Sequence, residues 1–161
     1  MSSLTQERLK QVLHYDPLTG KFMWMSHRKN SRIGTEAGYS DRTKRIKILV
    51  DGSQYFAHRL AWLYVHGSWP SGVIDHIDGN PGNNVLSNLR DVSVAINSQN
   101  RRHPRSESKT GVLGVFKKNG HFFASISVND KTRHLGVFET VEEAHAAYVK
   151  AKRILHPGCT L

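Results

Sequence analysis

Hydrophobic positions follow two different periods along this chain, and the switches between them mark out its elements. Leu4, Leu9, Val12 and Leu13 recur at helical spacing. Ser3 with Gln6, or Thr5 instead, supplies the N-terminal cap. This helix is expected to stop before Asp16-Pro17, because a residue preceding proline is pushed out of the helical region. After a turn at Leu18-Thr19-Gly20, Phe22 and Trp24 alternate with polar neighbours as a strand does, and they are read as core. Ile46-Lys47-Ile48 alternates again, and Asp51-Gly52 turns the chain into Tyr55-Phe56 as a hairpin. The period lengthens over residues 58–65, where Leu60, Leu63 and Tyr64 share one helical face and Gly67 follows the end. A turn at residues 69–72 then leads into the short apolar run Val73-Ile74. A loop dense in Asn, Gly and Pro follows at residues 78–84, and Ser93 opens a helix carrying Asn97 and Asn100 one turn apart.

Beyond Asn100 the periodicity disappears. Residues 101–110 combine Pro, Ser and charge, as a linker does. Three strands are then expected at 112–117, 122–128 and 133–138, with turns at Lys118-Asn119-Gly120 and Asn129-Asp130-Lys131. Thr140 and Glu143 form a capping box for a closing helix, whose face is Val141, Ala144, Tyr148, Ala151 and Leu155. The pattern predicts an α+β chain with one module over residues 1–102, a basic linker at 103–110 and a second module at 111–161. In the second, a three-stranded antiparallel sheet packs on one helix and leaves its other face open.

Composition narrows the class. The 161 residues carry a net charge of +10, which favours a polyanionic partner. The lone cysteine, Cys159, excludes an intrachain disulfide and a Cys-rich zinc site, in keeping with a reducing cytoplasm. No apolar run approaches the roughly 18 residues of a membrane span, and the N-terminus lacks an export pattern. Much of the charge lies between His27 and Lys47, where Arg28, Lys29, Arg42, Lys44 and Arg45 suit backbone phosphates or, equally, the protection of hairpin edges.

The polar residues of the centre suggest chemistry. Asp75 and His76 stand at the end of the Val73-Ile74 run. The Asp75 carboxylate and the Asn97 amide are hard oxygen donors, suited to magnesium or manganese (Mg2+ or Mn2+), and so few protein ligands leave room for water and phosphate. Asn100 competes with Asn97 for that role. Imidazoles in general titrate near neutrality, which makes His76 the candidate base for activating water. Because strand neighbours point to opposite sides, Asp75 and His76 need the strand end or a bend to serve one site. His58, alone at a helix start, reads as a hydrogen-bonded structural group.

Asp75-His76, Asn88 and Asn97, in this order and spacing, resemble the HNH homing-type endonucleases of phages. The flanking HRLAW and SNLRDVS segments are similar as well, and the resemblance covers roughly residues 15–102. It implies a ββα-metal nuclease of double-stranded DNA that leaves a 5′-phosphate and a 3′-hydroxyl. It makes His76 the base, Asp75 and Asn97 the metal ligands, and Asn88 the residue that braces the loop and orients His76. The third motif position, often histidine in the family, is Asn97 here.

In the second module, GVLGVF, HFFASISV, HLGVF and EEAHAAY resemble the APETALA-two, or ethylene-response-factor, DNA-binding domain over roughly residues 108–158. That resemblance implies a sheet laid in the major groove, with Phe116, Lys118, Ser125, Ser127, Thr132 and His134 facing the bases. Plant members place mostly Arg, Trp and Glu at such positions. Arg pairs bidentately with guanine, so weaker or different readout is expected, with Lys117, Lys118, Lys131 and Arg133 holding phosphates. Arg101 and Arg102 in the linker are expected to track the DNA backbone.

The reading is a metal-dependent DNA endonuclease of nicking or homing type, a monomer or weak homodimer in the host cell cytoplasm. One site cuts one strand per visit, so a monomer nicks. The alternative is a non-catalytic, sequence-specific DNA-binding regulator. RNA is the lesser substrate, because the expected strands show no evident aromatic stacking platform.

Overall fold

A computed structural model describes residues 4–26, 32–104 and 106–161. Ser3, Arg28, Lys29 and Arg105 lie outside the described residues, and with them the expectations placed on them. The chain is α+β and divides into two compact units, Met1–Ser93 and Val94–Leu161.

The first unit opens with helix α1, Gln6–Val12, capped by Thr5, whose hydroxyl accepts from the Arg8 N–H at 3.2 Å. The helix was expected to include Leu13 and to run on toward Asp16. Instead Leu13 is extended, and Leu13–Asp16 forms strand β1, paired antiparallel with β2, Lys21–Trp24. The alternation of buried Leu13 and Tyr15 with outward-facing neighbours has the period of a strand. Asp16 makes the turn, accepting from the Leu18 N–H and the Thr19 hydroxyl.

A second sheet has the order β3, Tyr39–Ser40, then β4, Ile46–Val50, then β5, Ser53–Phe56. Asp51 and Gly52 both have positive φ, as the two-residue hairpin turn requires. Helix α2, Ala57–His66, follows directly and ends on Gly67 in the left-handed region. Strand β6, Val73–His76, pairs with β7, Leu89–Val92, which the periodicity had not marked. Its four residues alternate too briefly to stand out. Leu9, Leu13, Phe22, Ile48, Leu60, Leu63 and Leu89 build one core under all these elements. Each such side chain contributes ~1.5–3 kcal/mol when fully buried.

The second unit begins with helix α3, Val94–Gln99, and continues into a sheet of order β10–β9–β8. Strand β8 is Val115–Lys118, β9 is His121–Val128 and β10 is Lys131–Phe138. The first strand starts later than expected because Gly114 has φ +71°, and a Cβ there would lie 1.9 Å from the Tyr148 ring. The third starts earlier, because Asn129 and Asp130 alone make the turn, both at positive φ. Helix α4, Val141–Leu155, carries the expected capping box between Thr140 and Glu143. Lys152 joins Ala144 and Tyr148 on its buried face, where its ammonium donates to the Arg101 carbonyl.

Cross-strand partners project to the same side of a sheet. The register pairs Phe116 with Phe123, Lys118 with His121, Ser125 with His134 and Ser127 with Thr132. Val115, Ala124 and Ile126 are buried beneath these strands, so the other face is the open one.

One glycine couples the N-terminal hairpin to the central loop. Gly20 has φ +73°, and a Cβ there would lie 2.4 Å from the Asn84 carbonyl carbon, whereas Gly52, at φ +80°, faces open space. Gly20→Ala is expected to cost about 2–3 kcal/mol and Gly52→Ala about 1 kcal/mol. Urea midpoints of the two variants against the parent chain check the difference.

Candidate active site

Strand β6 delivers Asp75 and His76 to its C-terminal end, both buried. Burial of a carboxylate is costly unless the charge is paired. The register supplies the pair: Arg90 stands directly opposite Asp75 on β7. Its Nε and Nη2 donate to Asp75 Oδ2 at 2.9 and 2.7 Å.

The chain leaves the strand immediately after His76, where the Gly79 N–H closes a turn on the His76 carbonyl at 2.9 Å. Eight residues on, Asn84 returns to the imidazole, with its Oδ1 3.1 Å from His76 Nε2. An amide oxygen can only accept, so this contact places the proton on Nε2 and, in the neutral ring, the lone pair on Nδ1. Asn84 is itself buried. Tyr15 holds it by donating its hydroxyl to the Asn84 carbonyl at 2.7 Å. Burial, with the nearby Asp16 charge, pushes the Tyr15 phenol up to about 12, so it remains a donor throughout the neutral range.

Asn88 braces the loop from its far side. Its Nδ2 donates to the Asn83 carbonyl at 2.8 Å and to Asp78 Oδ1 at 3.0 Å, and its Oδ1 accepts from the Asp78 N–H at 2.9 Å. Burial works against ionisation of Asp78. Hydrogen bonds from Asn83, the Asn80 N–H and Asn88, with the positive charge of His76, outweigh it and hold the carboxyl below the usual range. The expected orienting contact on the His76 ring is made by Asn84, which the sequence reading passed over. A second asparagine among so many turn formers carries no separate signal in sequence. Arg90 was also passed over, because only the strand register reveals its partner.

His58 is not the hydrogen-bonded group expected. It is buried, and its Nδ1 has no partner among the described residues. Its ring stacks on Phe56 at 5.3 Å and meets the His76 ring edge-on at 5.1 Å. Burial first, then the positive charges of His76, Arg45 and Arg59, push His58 down to about 3, so it is a neutral wedge at physiological pH. Arg45 and Lys47 lie over the other ring in this row, 5.9 and 5.4 Å from the Phe56 centroid.

The remaining candidates fall elsewhere. Arg42 and Lys44 are exposed between β3 and β4, as Arg45 is. Asn97 is half-buried on α3 in the second unit. Asn100, its competitor, lies just past that helix, buried, and accepts from the Thr160 hydroxyl. Arg101 is exposed, and Arg102, half-buried, donates to the Thr160 carbonyl and hydroxyl. Lys117, Lys118, Lys131, Arg133 and His134 are all exposed on the second unit's sheet.

Residues 55–99, a stretch that holds β6, the loop and β7, match the family of HNH endonucleases. A protein of Escherichia phage T7, Protein 3.8, is 42% identical over 59 residues, covering 36% of this chain and 48% of its own. An uncharacterized HNH endonuclease of Acanthamoeba polyphaga mimivirus is 36% identical over 93 residues, covering 56% of this chain and 48% of its own. The chain thus spans about half the length of the curated relatives it matches. No solved structure matches it. Among the described residues, no helix is long and apolar enough to cross a membrane.

The depressed His58 has a consequence for stability. The unfolded chain takes up a proton on His58 near its ordinary value of 6.5, while the fold resists protonation down to about 3. Stability from this group is therefore complete above about 6.5 and declines as pH falls from there toward 3. Thermal melts should show Tm dropping between pH 6.5 and 5, where carboxylates remain ionised, and His58→Phe should flatten that slope.

Proposed function

We propose that this chain is a metal-dependent endonuclease that nicks double-stranded DNA. The observation that carries the reading is the His76 imidazole, held by Asn84 through Nε2 and set beside a buried carboxylate, within the segment that matches the HNH endonucleases.

The donor chemistry fits a hard divalent cation. Asp75 offers a buried carboxylate at a strand end. A cation held there with an amide oxygen would rest on few protein oxygens, as Mg2+ or Mn2+ does when phosphate and water complete its shell. Asp75 would hold it from the first unit. Asn97 is carried as second ligand by the sequence motif alone. When bound, such an ion stabilises charge on the scissile phosphate and the leaving oxygen.

The chain's own residues do the remainder. His76 Nδ1 takes a proton from the attacking water, and Asn84 keeps the ring in the tautomer that leaves Nδ1 basic. Arg90 fixes the Asp75 carboxylate, and Asn88 keeps the loop from 78 to 88 closed over the strand end. Hydrolysis in this family pattern leaves a 5′-phosphate and a 3′-hydroxyl. Arg28, Lys29, Arg42, Lys44 and Arg45 serve as phosphate contacts for the first unit, and the basic residues of the C-terminal sheet do so for a DNA-targeting module. One site cuts one strand per visit, so a monomer nicks, and a paired cut would take a homodimer or a second encounter. The likeness of the motif to the phage enzymes is the ground for reading a homing-type enzyme at work in a host cytoplasm.

Supercoiled plasmid should convert to open circles with magnesium and stay intact with chelator. His76→Ala should lower the rate by roughly 10²–10⁴ with duplex affinity retained. Undiminished cleavage by that variant would remove His76 as the base. Salt-sensitive binding with no scission at any metal concentration would leave a DNA-binding regulator instead.

A further inference from the structure

The second unit carries an aromatic row that the sequence reading did not foresee. On the open face of the sheet, Phe116 stacks on Phe123 at 5.2 Å with an interplanar angle of 14°, and Phe123 meets His134 at 6.0 Å. The row crosses all three strands. Phe123 is enclosed between the other two rings, whereas Phe116, on edge strand β8, is 46% exposed. Beside it lies an open groove of about 860 Å³, lined among others by Arg101, Pro104, Glu107, Ser108, Phe116 and Ser125. The groove's outer wall is tied to the strand, for Ser108 and Thr110 share a hydroxyl contact and Thr110 donates to the Val115 carbonyl at 2.9 Å.

We propose that this groove receives a base of an unpaired DNA strand, stacked on Phe116. The volume falls within the range of small-ligand sites. A ring face flanked by hydroxyls and a carboxylate suits a nucleobase, whose π-face stacks while its edge finds donors and acceptors. Charge complements a strand's phosphates, with exposed Arg101 at the groove and Lys118 beside Phe116's position on the same face. A duplex is the poorer occupant. Its bases are covered by their neighbours, and reading their edges calls for several long Arg, Lys, Asn or Gln side chains, whereas on this face Lys118 is joined by Ser125, Ser127, Thr132, His134 and phenylalanine. The inference rests on the DNA-binding part of the reading above, and it adds a strand-recognition site distinct from His76.

The test is fluorescence anisotropy of the full chain in chelator, with a labelled oligothymidine and, separately, a hairpin duplex. Phe116→Ala should weaken oligothymidine binding roughly 5- to 100-fold and change duplex binding less than twofold. Phe116→Leu, which keeps an apolar side chain for the fold but has no ring, should behave like Phe116→Ala, and Phe116→Trp should bind at least as well as the parent. Equal losses on both DNA forms would reassign the face to duplex contact and overturn the proposal. So would a Phe116→Leu variant that binds oligothymidine normally. If the parent chain binds neither form, the DNA-directed reading itself fails. Plasmid nicking that persists while oligothymidine is ignored removes only the strand site.

Discussion

A carboxylate and an imidazole buried next to each other at the end of one strand set the terms for the first unit. Neither group can leave water without a polar partner. Asp75 finds Arg90 across the strand pair, and His76 finds Asn84 at the return of the loop. One partner lies in the connecting loop and the other on the strand it leads to, so the loop's length and shape are constrained by both. This explains why the loop is so polar yet ordered. Asn83 and Asn88 donate their side-chain amides to Asp78, Asn88 also to the Asn83 carbonyl, and the Asn80 N–H joins them on Asp78.

The elements outside the hairpin are arranged to support those contacts. The N-terminal helix and hairpin are more than packing, since Gly20 and Tyr15 hold the Asn84 backbone from behind. On the other side, α2 begins with His58 wedged between Phe56 and His76. An imidazole in that position stays neutral because burial, with Arg45 and Arg59 nearby, opposes a positive charge on it.

In the second unit, several polar residues that looked like ligands or DNA contacts in sequence are absorbed by the fold. Thr160 takes Asn100 and Arg102, and Lys152 caps the Arg101 carbonyl from within the α4 face. The open side of the sheet stays accessible, and there a row of rings crosses the strands beside the exposed Lys118.

The order of elements was legible in the sequence wherever a period ran for a full helix or a turn demanded positive φ. Gly67 and the pairs at 51–52, 119–120 and 129–130 are examples, because local backbone sterics decide them without help from distant residues. Asp75 and His76 stood out as chemistry for a similar reason, lying at the junction of an apolar run and a polar loop. The switch from helix to strand at Leu13 escaped notice, since Leu13 satisfies either period and only its pairing with Trp24 selects one. Asn84, Arg90 and His58 could be assigned only from the folded chain. Their significance is a contact with a residue 8 to 18 positions away in sequence, and burial is a property of the tertiary arrangement rather than of any single position.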